Sequence, residues 1–157
     1  MESKTHRFIL DIIDSRTDLT LATLRPDGFP QANTVSYASA GLILYFGTGR
    51  DSQKAVNIQS CRNVSLTIDV PYTEWNDIRG LSMGAYAEVL PDDSAESVKA
   101  MNLLTRKFPA VRDMPPPADP NSIVFVKVVP KVISVLDYRK GFGHTELVEV
   151  APEDLKY

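Results

Sequence analysis

The chain has one cysteine, Cys61, and two histidines, His6 and His144, in 157 residues. A lone cysteine excludes an internal disulfide, and a reducing, cytoplasmic setting is the expectation that follows. Two histidines and one cysteine so far apart give no zinc-ligand spacing. Positive charge is not in excess: 17 Lys and Arg against 20 Asp and Glu leave a formal net charge of -3. That balance argues against a surface built broadly for nucleic acid, while leaving room for a local basic pocket. No apolar run approaches the length of a membrane span. The opening residues, MESKTHRFILDIIDS, place acids inside their apolar part and lack a small-residue cleavage site. They read as a helix and not as a secretion signal. The G-x-x-x-x-G-K-[ST] phosphate loop is also missing.

What is present is ordinary for a globular chain: 43% hydrophobic and 24% charged residues. Residues 1–157 read as one domain, with a polar, partly loose tail from about 139 and with neither internal repeat nor interdomain linker. Phe8, Ile9, Ile12 and Ile13 form an apolar stripe on a helix over Ser3–Ser15. Asp18–Leu24 and Gln31–Tyr37 have strand composition and flank Arg25-Pro26-Asp27-Gly28, a turn sequence, so they form a hairpin. A second turn at Ala38–Gly41 leads to a strand over Leu42–Phe46. Asn63–Val70 alternates apolar with polar residues and is the clearest strand. Ile78–Leu90 is a long strand rich in small residues, where glycines let a sheet bend. A helix capped by Asp92 or Asp93 runs to about Lys107. The segment from Pro109 to Asn121 holds five of the eleven prolines and is an irregular loop. Ile123–Val129 is a strand buried on both faces, Pro130 stops it, and Lys131–Tyr138 is a seventh strand. The apolar load of Val124, Phe125, Val126, Val128 and Val129, with Trp75 on a loop, predicts a covering partner. Seven strands and three helices, opening on hairpins, predict a mainly β, antiparallel barrel with helices packed outside it.

One stretch organises the rest: Tyr45–Asn57, YFGTGRDSQKAVN. A strand ends at Gly47 and Gly49, and Asp51 or Ser52 is placed to cap a new helix. Free N–H groups at a positive dipole end suit a phosphate. Thr48 and Ser52 add hydroxyls, and Arg50 and Lys54 add charge. A plain strand-to-helix connection with surface lysines has the same composition. Cys61 reads as a buried thiol at the end of this helix.

The order LATLRPDGFPQANTVSY, LYFGTGRDSQKAVN and NVSLTID is similar to the pyridoxamine 5'-phosphate oxidase-like family, the FMN-binding split barrels, from Leu19 to about Tyr138. The resemblance implies an antiparallel split β-barrel with flanking helices, an FMN cofactor and a homodimer with flavin between subunits. It implies that Asn33, Thr34, Val35 and Ser36 lie along the flavin ring, and that Thr48, Ser52, Gln53 and Lys54 hold the phosphate. Trp75 and Arg79 would face the flavin of the second subunit.

The chain departs from true pyridoxamine phosphate oxidases, which carry arginine, lysine and arginine where it has Asn33, Ala38 and Gln53. Their C-terminal arginine- and histidine-containing substrate motif is missing as well. The implied function is therefore a flavin-dependent oxidoreductase of another small-molecule substrate or electron donor, with no catalytic residue assigned. The rival reading is a non-enzymatic flavin or haem binder or sensor, with His144 as an acid or a haem ligand. A barrel that keeps the fold and binds nothing is the third.

Overall fold

The computed structural model describes residues 1–156. Helix α1 covers Ser3–Ser15 and buries Ile9, Ile12 and Ile13. Eight strands follow. They are β1 (Asp18–Leu24), β2 (Pro30–Ser36), β3 (Ala38–Ala40), β4 (Ile43–Gly49), β5 (Asn63–Val70), β6 (Arg79–Val89), β7 (Ile123–Asp137) and β8 (Thr145–Glu149). Helix α2 (Gln53–Ser60) joins β4 to β5, and α3 (Ala95–Lys107) lies between β6 and β7. All pairings are antiparallel, in the order β2-β1-β5-β6-β7-β4-β3, with β8 added beside β7.

The two ends of that order, β2 and β3, are separated by one residue, Tyr37. A sheet whose opposite edges are joined by one residue must curl until they meet, which makes it a split barrel. Tyr37 is fully buried and its hydroxyl donates to the Ile13 carbonyl at 2.7 Å, fastening the junction to the end of α1. The Lys107 ammonium of α3 stands 4.1 Å from the centre of the Tyr37 ring. Burial raises the Tyr37 phenol above its ordinary range and lowers the Lys107 ammonium. The core inside the curl collects alternate residues of each strand, among them Leu19 and Leu21, Leu66 and Ile68, Leu81 and Met83.

Several elements differ from the sequence expectation, each for a local reason. Ser94, and not Asp92 or Asp93, caps α3, accepting from the Ser97 N–H at 3.1 Å. Ala38–Ala40 is a short strand paired with β4, and the turn is confined to Gly41 and Leu42, with Gly41 at φ +60°. Pro130 does not end a strand. β7 continues through it, because the ladder to β6 shifts register between Gly84 and Ala85. Ala85 pairs with Pro130 and Gly84 with Val132, so Lys131 is the extra residue of a bulge. A bulge is where a sheet tolerates a residue without an N–H. A side chain at Gly84 would begin 3.1 Å from the Val132 side chain, so any larger residue there would have to push Val132 aside.

The C-terminal segment holds β8, and Val150 behind it is buried. Cys61 ends α2 as expected, half-buried instead of enclosed. Val124, Val126 and Val128 are buried within the chain itself, while Phe125 and Val129 on the other face of the strand are half-buried.

Tyr37→Phe should cost about 1–3 kcal/mol, the effect of leaving a buried carbonyl without its donor. A lower urea midpoint at an unchanged slope is the expected result, and an unmoved midpoint would show that the junction does not depend on this bond.

Candidate cofactor site

β4 runs through Thr48 to Gly49, and the chain then turns through Arg50, Asp51 and Ser52 into α2. Ser52 caps the helix: its Oγ accepts from the Ala55 N–H at 3.4 Å and lies 3.0 Å from Thr48 Oγ1. Lys54 Nζ donates to Thr48 Oγ1 at 3.4 Å. Two hydroxyls and an ammonium therefore converge on the first turn of a helix, where N–H groups lack intrahelical acceptors. No ion pair among the described residues involves Lys54. The donors fit a phosphate: hydroxyls and N–H groups for its oxygens, and one unpaired cation for its charge.

Arg50, counted from sequence as a second cation for this turn, is used elsewhere. Its Nη2 donates to both carboxylate oxygens of Asp92 at 2.8 Å, and its Nε donates to the Asn121 carbonyl at 2.6 Å. It fastens the turn to the loop between β6 and α3 and to the segment before β7. Gln53 points away from the hydroxyls too, donating from Nε2 to Asn57 Oδ1 at 2.9 Å.

Asn57 is the residue that sequence reasoning passed over. It is fully buried, and its Nδ2 donates to Thr23 Oγ1 at 2.9 Å and to Gln31 Oε1 at 3.0 Å. This polar knot ties α2 to β1 and β2, and so fixes the turn after β4 relative to β2. The one sequence signal for it is the four-residue spacing of Gln53 and Asn57 on a helix face.

On β2, Val35 is buried and contributes only its backbone to any ligand, Asn33 is half-buried, and Thr34 and Ser36 are exposed. Ser36 Oγ donates to Asp18 Oδ1 at 2.9 Å. As an end strand of the sheet, β2 keeps one edge of backbone groups unpaired by any neighbouring strand.

Trp75 and Arg79 lie elsewhere. Thr48 pairs with Val124 at one end of β7 and Arg79 with Asp137 at the other. Thirteen residues of strand separate those positions, roughly 40 Å along the chain. Trp75, in a short helical turn, is 66% exposed and stacks on Phe142 with ring centres 6.0 Å apart. Arg79 Nε donates to the Asp77 carbonyl at 3.4 Å. Within one chain the structure brings Thr48, Ser52 and Lys54 together, sets β2 nearby through Asn57, and leaves Trp75 and Arg79 apart. His144 is half-buried in the turn before β8, where Gly143 has φ +75°. Its backbone N–H donates to the Gly141 carbonyl, and no hydrogen bond of its ring occurs among the described residues.

The architecture is that of a split barrel. The family model described as pyridoxamine 5'-phosphate oxidase matches residues 6–136, and the chain belongs to that family. The matched span stops before Phe142, His144 and β8. Among solved structures, an F420 reductase shares 29% identity at a TM-score of 0.60, over 79% of this chain and 94% of its own. A conserved hypothetical protein from Mycobacterium tuberculosis shares 26% at 0.70, over 98% and 94%. HutZ, the heme storage protein from Vibrio cholerae, shares 15% at 0.67, over 79% and 88%, and that likeness concerns the fold alone. The search of curated proteins found no match. Among the described residues no helix is long and apolar enough to cross a membrane, and no group of three or more His, Cys, Asp or Glu is placed to hold a metal ion.

Asn57→Ala removes one partner from each of Thr23, Gln31 and Gln53, and should cost roughly 2–3 kcal/mol through the polar groups it strands. Chemical denaturation measures this. A variant as stable as the parent would mean that the knot does not hold α2 against β2.

Proposed function

We propose that the chain is an FMN-binding oxidoreductase acting on a small molecule other than pyridoxamine phosphate. The observation that carries this reading is the convergence of Thr48, Ser52 and unpaired Lys54 on the first turn of α2, beside the open edge of β2. Lys54 and the hydroxyls would take the cofactor phosphate. The backbone of Asn33–Ser36 would present donors and acceptors to the polar edge of the ring, and exposed Thr34 and Ser36 would flank it. Gln53 acts at one remove, by holding Asn57. The flavin, when bound, supplies the electron transfer, and the protein supplies orientation and electrostatics. Family membership and a reductase among the relatives support the redox reading. The lone half-buried thiol of Cys61 suits a reducing, cytoplasmic compartment.

The reading includes a homodimer. Trp75 and Arg79 stand too far from Lys54 in one chain to share its ligand, so they would complete the site of a second copy. Exposed Trp75 and Phe142 are the apolar surface that such a copy would cover. Light scattering at micromolar concentration should give twice the 17.4 kDa chain mass, and a single-chain mass would remove this part of the proposal.

Lys54→Ala should weaken FMN binding by about 1.5–3 kcal/mol, the scale of a hydrogen bond to a charged group, and riboflavin binding far less. Titration of both ligands into both proteins makes the comparison. Equal losses would mean that Lys54 does not touch the phosphate. No FMN binding by the parent, with a Soret band in protein purified without added cofactor, would favour the haem reading.

A further inference from the structure

A cleft of about 420 Å³ opens at the other end of the sheet, beside the 71–78 loop. Its charged lining is Arg16, Arg79 and Asp69, and its hydroxyl lining includes Thr67, Ser82 and Tyr72. Leu81, Leu136 and Val70 supply apolar wall. Arg16 follows α1 directly, and its Nε is buried without a hydrogen-bond partner. Neither arginine forms an ion pair among the described residues. Arg79 makes only the 3.4 Å bond to the Asp77 carbonyl. Thr67 and Ser82, cross-strand neighbours on β5 and β6, have no side-chain hydrogen bond among the described residues.

Arg16 Nε is covered by the protein, while its terminal nitrogens are not among the buried atoms and have no acceptor among the described residues, so they are free to take one that arrives in the cleft from outside. Two guanidiniums against one carboxylate leave a single net positive charge on the lining. That matches a monoanion, whereas a dianionic phosphate would bring excess negative charge to Asp69. Planar guanidinium forks pair well with a carboxylate. The volume lies toward the small end of ligand sites, and the apolar wall calls for a flat body of about one ring. We propose that this cleft binds the carboxylate of a small, flat, largely apolar acid between the guanidiniums of Arg16 and Arg79. That the acid is the substrate, held where a second copy's flavin ring would come, rests on the flavin reading above; that the cleft binds it does not.

The test is calorimetric titration of benzoate, benzyl alcohol and phenyl phosphate into the full chain without flavin, so a failure of FMN binding leaves it untouched. Benzoate should bind saturably and at least tenfold more tightly than the other two. Arg16→Met should weaken benzoate at least tenfold without lowering the melting temperature, because among the described residues its side chain has no hydrogen bond or ion pair to lose. Arg79→Met should show the same loss, and gives the answer if the first variant fails to fold. Benzoate binding no tighter than benzyl alcohol, preference for phenyl phosphate, or unchanged benzoate affinity in a folded variant would each overturn the proposal.

Discussion

The rest of the structure depends on one covalent constraint: the two end strands of the sheet are neighbours in sequence, joined through Tyr37. Hydrogen bonding runs from β2 through five strands to β3, and the chain passes between those ends in one residue. Strand twist alone would leave such a sheet open. The junction forces it to curl, and the curl encloses the core that α1 closes with Ile9, Ile12 and Ile13. It also decides which backbone is open to a ligand, because β2 ends the ladder instead of lying inside it.

That geometry would be idle without a fixed relation between β2 and the turn after β4, and buried polar contacts provide it. Asn57 reaches two strands from one amide, while Arg50 ties the other side of the turn to Asp92 and the 121 carbonyl. A polar knot in a low-dielectric interior is directional in a way that apolar packing is not, so it specifies one arrangement of helix against sheet. Among the described residues Lys54 is left as the cation of the turn without an ion pair, because Arg50 is spent on structure.

Local pattern was enough for much of the fold. The alternation in Asn63–Val70 and the stripe in Ser3–Ser15 are periodicities imposed by one buried face, Asp18–Leu24 has the composition of a strand, and the elements fall on those residues. Legibility failed where a partner distant in sequence decided the outcome. Pro130 reads as a stop until β6 supplies Gly84 and a bulge. β8 is five residues with Leu147 exposed, and it exists only because β7 offers an edge. The turn hydroxyls and Lys54 could be read because they lie within seven residues. Asn57 could not, since Thr23 and Gln31 stand 34 and 26 positions away. Arg16 gave no signal at all, because the missing acceptor of a guanidinium is visible only in three dimensions.

The bulge at Lys131 has a metric consequence. β7 is the strand that spans both ends of the molecule, from the partner of Gly49 to the partner of Arg79. Sliding it by two residues against β6 would keep every side chain on its proper face, so patterning alone does not forbid the slip. The bulge opposes it: a slip would carry the residue without an N–H away from the irregularity at Gly84 and Ala85, and Val132 would crowd a β6 residue that, unlike Gly84, has a Cβ. The strand is thereby calibrated like a ruler with one engraved mark. The spacing between the turn after β4 and the arginine cleft is a fixed length, and a ligand or surface that spans the two has to match it.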